Sequence, residues 1–150
     1  MSRHSAILVL CAVAFGCVGP FSETRESHYA DVAAARQDGA FTRGWLPEVV
    51  PPEAKDIWEQ HRVDSIRTWA CFVVPQGSEA VRPLLKDLGA RQFSGPVSPG
   101  PPALVGTRAW WPMGMNKPQL EAYEFKEPAG YTVVVGIDAA AHRVCLHRRG

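Results

Sequence analysis

The clearest periodic signal lies at the end of the chain. Residues 131–137 (Tyr-Thr-Val-Val-Val-Gly-Ile) and 143–147 (Arg-Val-Cys-Leu-His) are two β-rich runs joined by a small, polar turn, the pattern of an antiparallel hairpin. Residues 66–74 repeat with period two. Ile66, Thr68, Ala70, Phe72 and Val74 share one face, and Arg67, Trp69, Cys71 and Val73 share the other. Both faces are largely apolar, as in a central strand. Two stretches carry helical spacing instead. Tyr29, Val32, Ala33 and Arg36 follow a capping Ser27 and precede Gly39, while Val81, Leu84, Leu85 and Leu88 lie between Ser78 and Gly89, with Pro83 near the first turn. Pro51 and Pro52 start a short helical turn through Ile57, and residues 58–62 read either as its continuation or as a hairpin partner of the 66–74 strand. Residues 94–102 form a surface loop by their glycine and proline content, and residues 109–113 and 121–125 are further strand or irregular pieces. The expected fold class is α+β: an antiparallel sheet of about four or five strands with two helices packed on one face.

The first seventeen residues are of a different kind. Arg3 precedes a short apolar run and then small residues before Cys17, the layout of a secretory leader. The run is too short to span a hydrocarbon layer of about 30 Å as a helix. Ala14-Phe15-Gly16-Cys17 resembles a lipobox: it keeps the glycine and the acceptor cysteine, with Ala where Leu is usual and a bulky Phe next. Cys17 is the expected lipidation site, with ordinary cleavage after Ala12-Val13-Ala14 as the alternative. The organisation implied is a signal peptide over 1–16, an anchor and tether over 17–27, and a single α+β domain over 28–150.

Charge and cysteines narrow the picture further. Without residues 1–16 the chain has 15 basic and 15 acidic side chains, leaving no field to concentrate a polyanion, so nucleic acid is not an expected partner. Cys71 and Cys145 are the remaining thiols besides Cys17. An oxidising compartment allows a bridge between them, but their apolar neighbours favour two buried free thiols. Cys145 and His147 share a strand face, yet zinc needs three or four ligands and no pattern supplies the others. Glu121, Glu124 and Glu127 recur every third residue and read as a solvated face rather than paired catalytic carboxylates. His28, His61 and His142 read as isolated surface histidines. No nucleophile elbow and no phosphate-binding glycine loop occurs, and no cofactor or metal is implied.

Tyr29, the step from Gly39 to Phe41, Arg43-Gly44-Trp45-Leu46-Pro47, Pro51-Pro52-x-Ala54-x-Asp56-Ile57, Asp64 and the strand to Phe72 together resemble a group of small, uncharacterised bacterial lipoproteins. Their shared core is a Gly-Trp-Leu-Pro segment, a Pro-x-x-Ala-x-x-Ile segment and a β-strand. The resemblance spans residues 28–74, with a looser echo around Asp138. It implies a location and a fold, with no reaction attached, and it transfers no role to His61 or Arg62.

Five tryptophans are many for 150 residues. Such side chains fill small cores, and they also build binding surfaces. Trp110 and Trp111 are the surface candidates, because neighbours on a strand point to opposite sides. The functional expectation is therefore a non-enzymatic, lipid-anchored domain of the bacterial cell envelope, facing the periplasm or the exterior. Its partners would be the membrane, through lipidated Cys17, and an envelope protein. The alternatives are a secreted or periplasmic soluble protein, an exported enzyme with Cys145, His147 and Glu124 as candidates, and a metal or redox module using Cys71 and Cys145.

Overall fold

The computed structural model describes residues 24–63, 65–98, 100, 110–112 and 120–150. The leader, Cys17 and Asp64 lie outside the described residues. β1 (Thr24–Asp31), α1 (Val32–Gln37), β2 (Lys55–Arg62) and β3 (Thr68–Val73) come first, followed by a 3-10 turn (Ser78–Ala80) that runs into α2 (Val81–Asp87). β4 (Arg91–Gln92), β5 (Glu121–Lys126), β6 (Thr132–Asp138) and β7 (Arg143–Arg149) complete the order. The seven strands form one sheet in the order β1-β2-β3-β7-β6-β5-β4, and every neighbouring pair is antiparallel.

This architecture corrects the sequence expectation. The sheet has seven strands rather than four or five, and the two expected helices shrink to pieces of six and seven residues. The physical reason is visible at both ends of β1–β2. Thr24–Asp31 is an outer strand whose residues are mostly polar and partly exposed, so it lacks an apolar alternation. β2 turns Ile57, Glu59 and His61 towards the core, and the polar members of that set hide its period. The first helix is capped by Asp31, not Ser27: its carboxylate accepts from the Ala34 amide at 3.0 Å, and Gly39, with φ +78°, ends the turn beyond it. In the second helix Val81 and Leu85 are buried, whereas Leu88, assigned to the core by spacing, is 37 % exposed. The terminal hairpin is present as β6 and β7.

Two three- and four-stranded meanders meet where β3 pairs with β7. There Cys71 and Cys145 stand directly opposite each other and form a disulfide, 74 residues apart in sequence. The preference for free thiols thus gives way to a covalent link between the two meanders. One sheet face carries Ile57, Ala70, Phe72, Val133, Val135, Val144 and Leu146 and is covered by α1, α2 and the segment containing Leu46, Val49 and Val50. The other carries Trp69, Cys71, Ala122, Val134 and Cys145 and is covered by Phe93, Val97, Trp110 and Trp111. With both faces dry, β3 is buried on both sides, as its sequence pattern requires.

Because the bridge closes a long loop, replacing both cysteines by serine is expected to lower unfolding free energy by about 4 kcal/mol. Denaturant unfolding of the oxidised, reduced and doubly substituted protein measures this. Equal midpoints for the three would contradict the linkage.

Candidate functional site

One register row of the first sheet face builds a cleft. Arg25 of β1 pairs with His61 of β2, His61 with Thr68 of β3, and Thr68 with Arg148 of β7. The segment from Asp38 to Trp45 and the β2–β3 turn wall off this row, enclosing about 620 Å³ between Arg25, Asp38, Arg43, Trp45, His61 and Arg148.

His61 is only 5 % exposed, and behind it Glu59 is fully buried. The two side chains lie two residues apart on one strand face, so period-two geometry brings them together: His61 Nδ1 and Glu59 Oε1 share a hydrogen bond of 2.8 Å. Burial pushes the Glu59 carboxyl above the usual carboxylate range, opposed by the hydrogen bond and charge of His61 and by the charge of Arg43. Glu59 Oε2 is buried without a hydrogen-bond partner among the described residues. The other side of the imidazole is sealed by Trp45, stacked on it with ring centroids 4.0 Å apart. Arg43 covers Trp45 in turn, its guanidinium carbon 3.8 Å from the ring centroid, and pairs with Asp38 at 2.7 Å. Asp38 also accepts from the Tyr29 hydroxyl at 2.8 Å.

The Arg-Gly-Trp-Leu-Pro segment now has a physical account. Arg43 and Trp45 cap the histidine. Gly44 has φ +73°, a conformation that favours glycine, and its carbonyl accepts from the Arg148 guanidinium. Leu46 anchors the segment in the core at 2 % exposure. Arg148 is itself held by Glu127 at 2.6 Å and by the Tyr131 ring.

The residues singled out from sequence go elsewhere. Trp110 and Trp111 are 7 % and 8 % exposed, so neither offers the surface expected of it. Trp110 lies parallel to Trp58 at 6.2 Å, meets Trp111 edge-on, and donates its indole N–H to Glu26 at 2.9 Å. Cys145 is in the disulfide. Glu124 pairs with exposed Arg91 at 3.0 Å, while Glu121 binds Arg82 and Glu127 binds Arg148, so the three glutamates serve three separate arginines. His147 stacks on Trp69 at 5.1 Å. Burial, then the charges of Arg149 and Arg67, hold its ring down to about 4 against a backbone hydrogen bond at Val97. His28 and His142 are at the surface, as expected; His61 is not. No signal in a single sequence marks a histidine between Gln and Arg as buried. Its alternation with Ile57 and Glu59 was the available hint. Among the described residues no cluster of three His, Cys, Asp or Glu side chains could hold a metal.

A family model, the YbbD head domain, matches residues 23–73. The chain is similar to that domain over about a third of its length. The matched stretch runs through β1, α1, β2 and β3, and so includes Trp45, Glu59 and His61, while Arg148 enters the cleft from outside it. No curated protein and no solved structure matches the chain.

Removing one member of a buried pair strands the other. Glu59→Leu or His61→Phe alone is expected to cost about 3–5 kcal/mol of stability. The Glu59→Leu/His61→Phe double variant should cost less than the sum of its two single changes by more than about 1 kcal/mol. Denaturation of the four proteins tests this, and strict additivity would contradict it. Acid should act at His147. The unfolded ring takes its proton near 6.5 and the folded ring only near 4, so stability should decline as pH falls through that window. Unfolding followed against pH should lose this part of the slope in His147→Phe; an unchanged slope would count against the assignment.

Proposed function

We propose that this chain is a non-enzymatic binding domain of the bacterial cell envelope, held to the membrane through lipidated Cys17, and that it engages an envelope partner through the cleft above His61. The leader and lipobox features before Cys17 support the location. The observation that carries the binding role is the preformed cleft of about 620 Å³, whose floor is a rigid register row and whose wall is clamped by Arg43, Trp45 and Arg148. The role moves from Trp110 and Trp111, which are interior residues, to Trp45 and His61. Val63 and Ile66, exposed by 66 % and 42 % at the rim, add apolar contact area.

A second reading has a specific observation behind it. An imidazole that donates through Nδ1 to a carboxylate is oriented as a general base is, with the opposite ring nitrogen left for a substrate proton. An exported enzyme would therefore use Glu59 and His61, not Cys145, His147 and Glu124. Among the described residues no hydroxyl or thiol hydrogen-bonds His61, which favours binding over nucleophilic catalysis. The redox and metal reading loses its thiols to the Cys71–Cys145 bridge.

Photo-crosslinking in cells tests the binding role. A photoreactive residue at Val63 or Ile66 is expected to yield a discrete adduct that is absent when the residue is placed at Ala140, in the exposed β6–β7 turn. No adduct, or equal adducts at all three positions, would overturn the cleft as the contact surface. Mass analysis of the mature N-terminus tests the anchor: an unlipidated start other than Cys17 would contradict it.

A further inference from the structure

We infer that the cleft binds an oxyanion, a carboxylate or phosphate group carried by its ligand; this rests on the cleft being the binding site. Four arginines (Arg25, Arg43, Arg62 and Arg148) and His61 line the space, against the carboxylates of Glu26 and Asp38. Arg43 is matched by Asp38 and Arg148 by Glu127 from outside the cleft, and the Glu26 carboxylate accepts the Trp110 indole N–H. Arg25 makes no ion pair among the described residues, and it stands in register beside His61. Its guanidinium is a planar, permanently charged fork whose donors suit two oxygens at once, so a carboxylate or phosphate is the group it holds best.

Two further features fit the same chemistry. Ser65 also lines the cleft, and its buried hydroxyl oxygen lacks a hydrogen-bond partner among the described residues. The Arg148 side chain is only 12 % exposed, so its charge acts from a poorly solvated position where attraction is screened less than at an open surface. Whether the oxyanion comes from a carboxylate or a phosphate is set by the number of oxygens the cleft can share.

The test uses the whole folded domain and simple anions. Phosphate, acetate and chloride, at matched ionic strength, are titrated while NMR follows the Trp45 indole N–H and the arginine Nε–H signals. Phosphate or acetate should shift the Trp45 and Arg25 signals saturably, the tighter of the two naming the group, and chloride should not. Arg25→Glu should weaken that binding at least about tenfold, the loss of one charged hydrogen-bonding partner. Arg91→Glu, on the far edge of the sheet, should leave it unchanged. Shifts that never saturate, that spread evenly over the surface, or that survive Arg25→Glu would overturn the inference. If rim crosslinks form while no anion saturates, the oxyanion assignment alone fails; if neither appears, the binding role fails with it.

Discussion

A carboxylate with no solvent exposure sits inside this domain, and the arrangement around it follows from keeping it there. Glu59 has its whole side chain in the interior, where an isolated charge is untenable. His61 supplies the hydrogen bond, Trp45 seals His61, Arg43 covers Trp45, Asp38 holds Arg43, and Tyr29 holds Asp38. The chain of contacts passes from β2 into the 38–46 segment and back to β1. It fixes the loop at one end of the sheet and leaves the cleft beside it. The cleft wall is thereby built from residues that the fold itself needs.

The rest of the molecule makes that end of the sheet rigid. β1–β2–β3 and β4–β5–β6–β7 are separate meanders that share one seam, and the Cys71–Cys145 disulfide lies on it. Arg148 crosses the same seam from β7 to the Gly44 carbonyl, so the second meander contributes to the clamp over the first. The opposite face is closed by an aromatic layer in which Trp58, Trp69, Trp110 and Trp111 pack on one another or on the bridge region. Tryptophans here are structural mass, and the polar row beneath Trp45 is where the surface chemistry resides.

How much of this was legible in the chain follows from where apolar periodicity survives. β3, β6 and β7 have apolar residues on most positions and were readable. α2 was readable in position but not in extent: its helix covers Val81–Asp87, and Leu88, in step with Val81 and Leu85, is exposed. β1 was not readable, because it is an edge strand of mostly polar, partly exposed residues in which Tyr29 is the one buried position. β2 was obscured by Glu59, Gln60 and His61, buried polar residues in the middle of a strand. Arg43-Gly44-Trp45-Leu46-Pro47 was recognisable as a unit, but its purpose depended on His61, which lies outside the motif and becomes its partner only through the β1–β2–β3 register. Trp110 and Trp111 misled for a different reason: strand neighbours pointing to opposite sides leave one in water only if one side is uncovered, and here both indoles are buried.

The central claim is that Trp45 shields a hydrogen bond between His61 and Glu59. The direct measurement is proton NMR of the folded protein labelled with nitrogen-15 in its histidine rings. The account predicts a far-downfield, slowly exchanging proton on His61 Nδ1 at neutral pH, lost to rapid solvent exchange in Trp45→Ala. A His61 ring with no protected Nδ1 proton, or one whose exchange is untouched by removing Trp45, would contradict it.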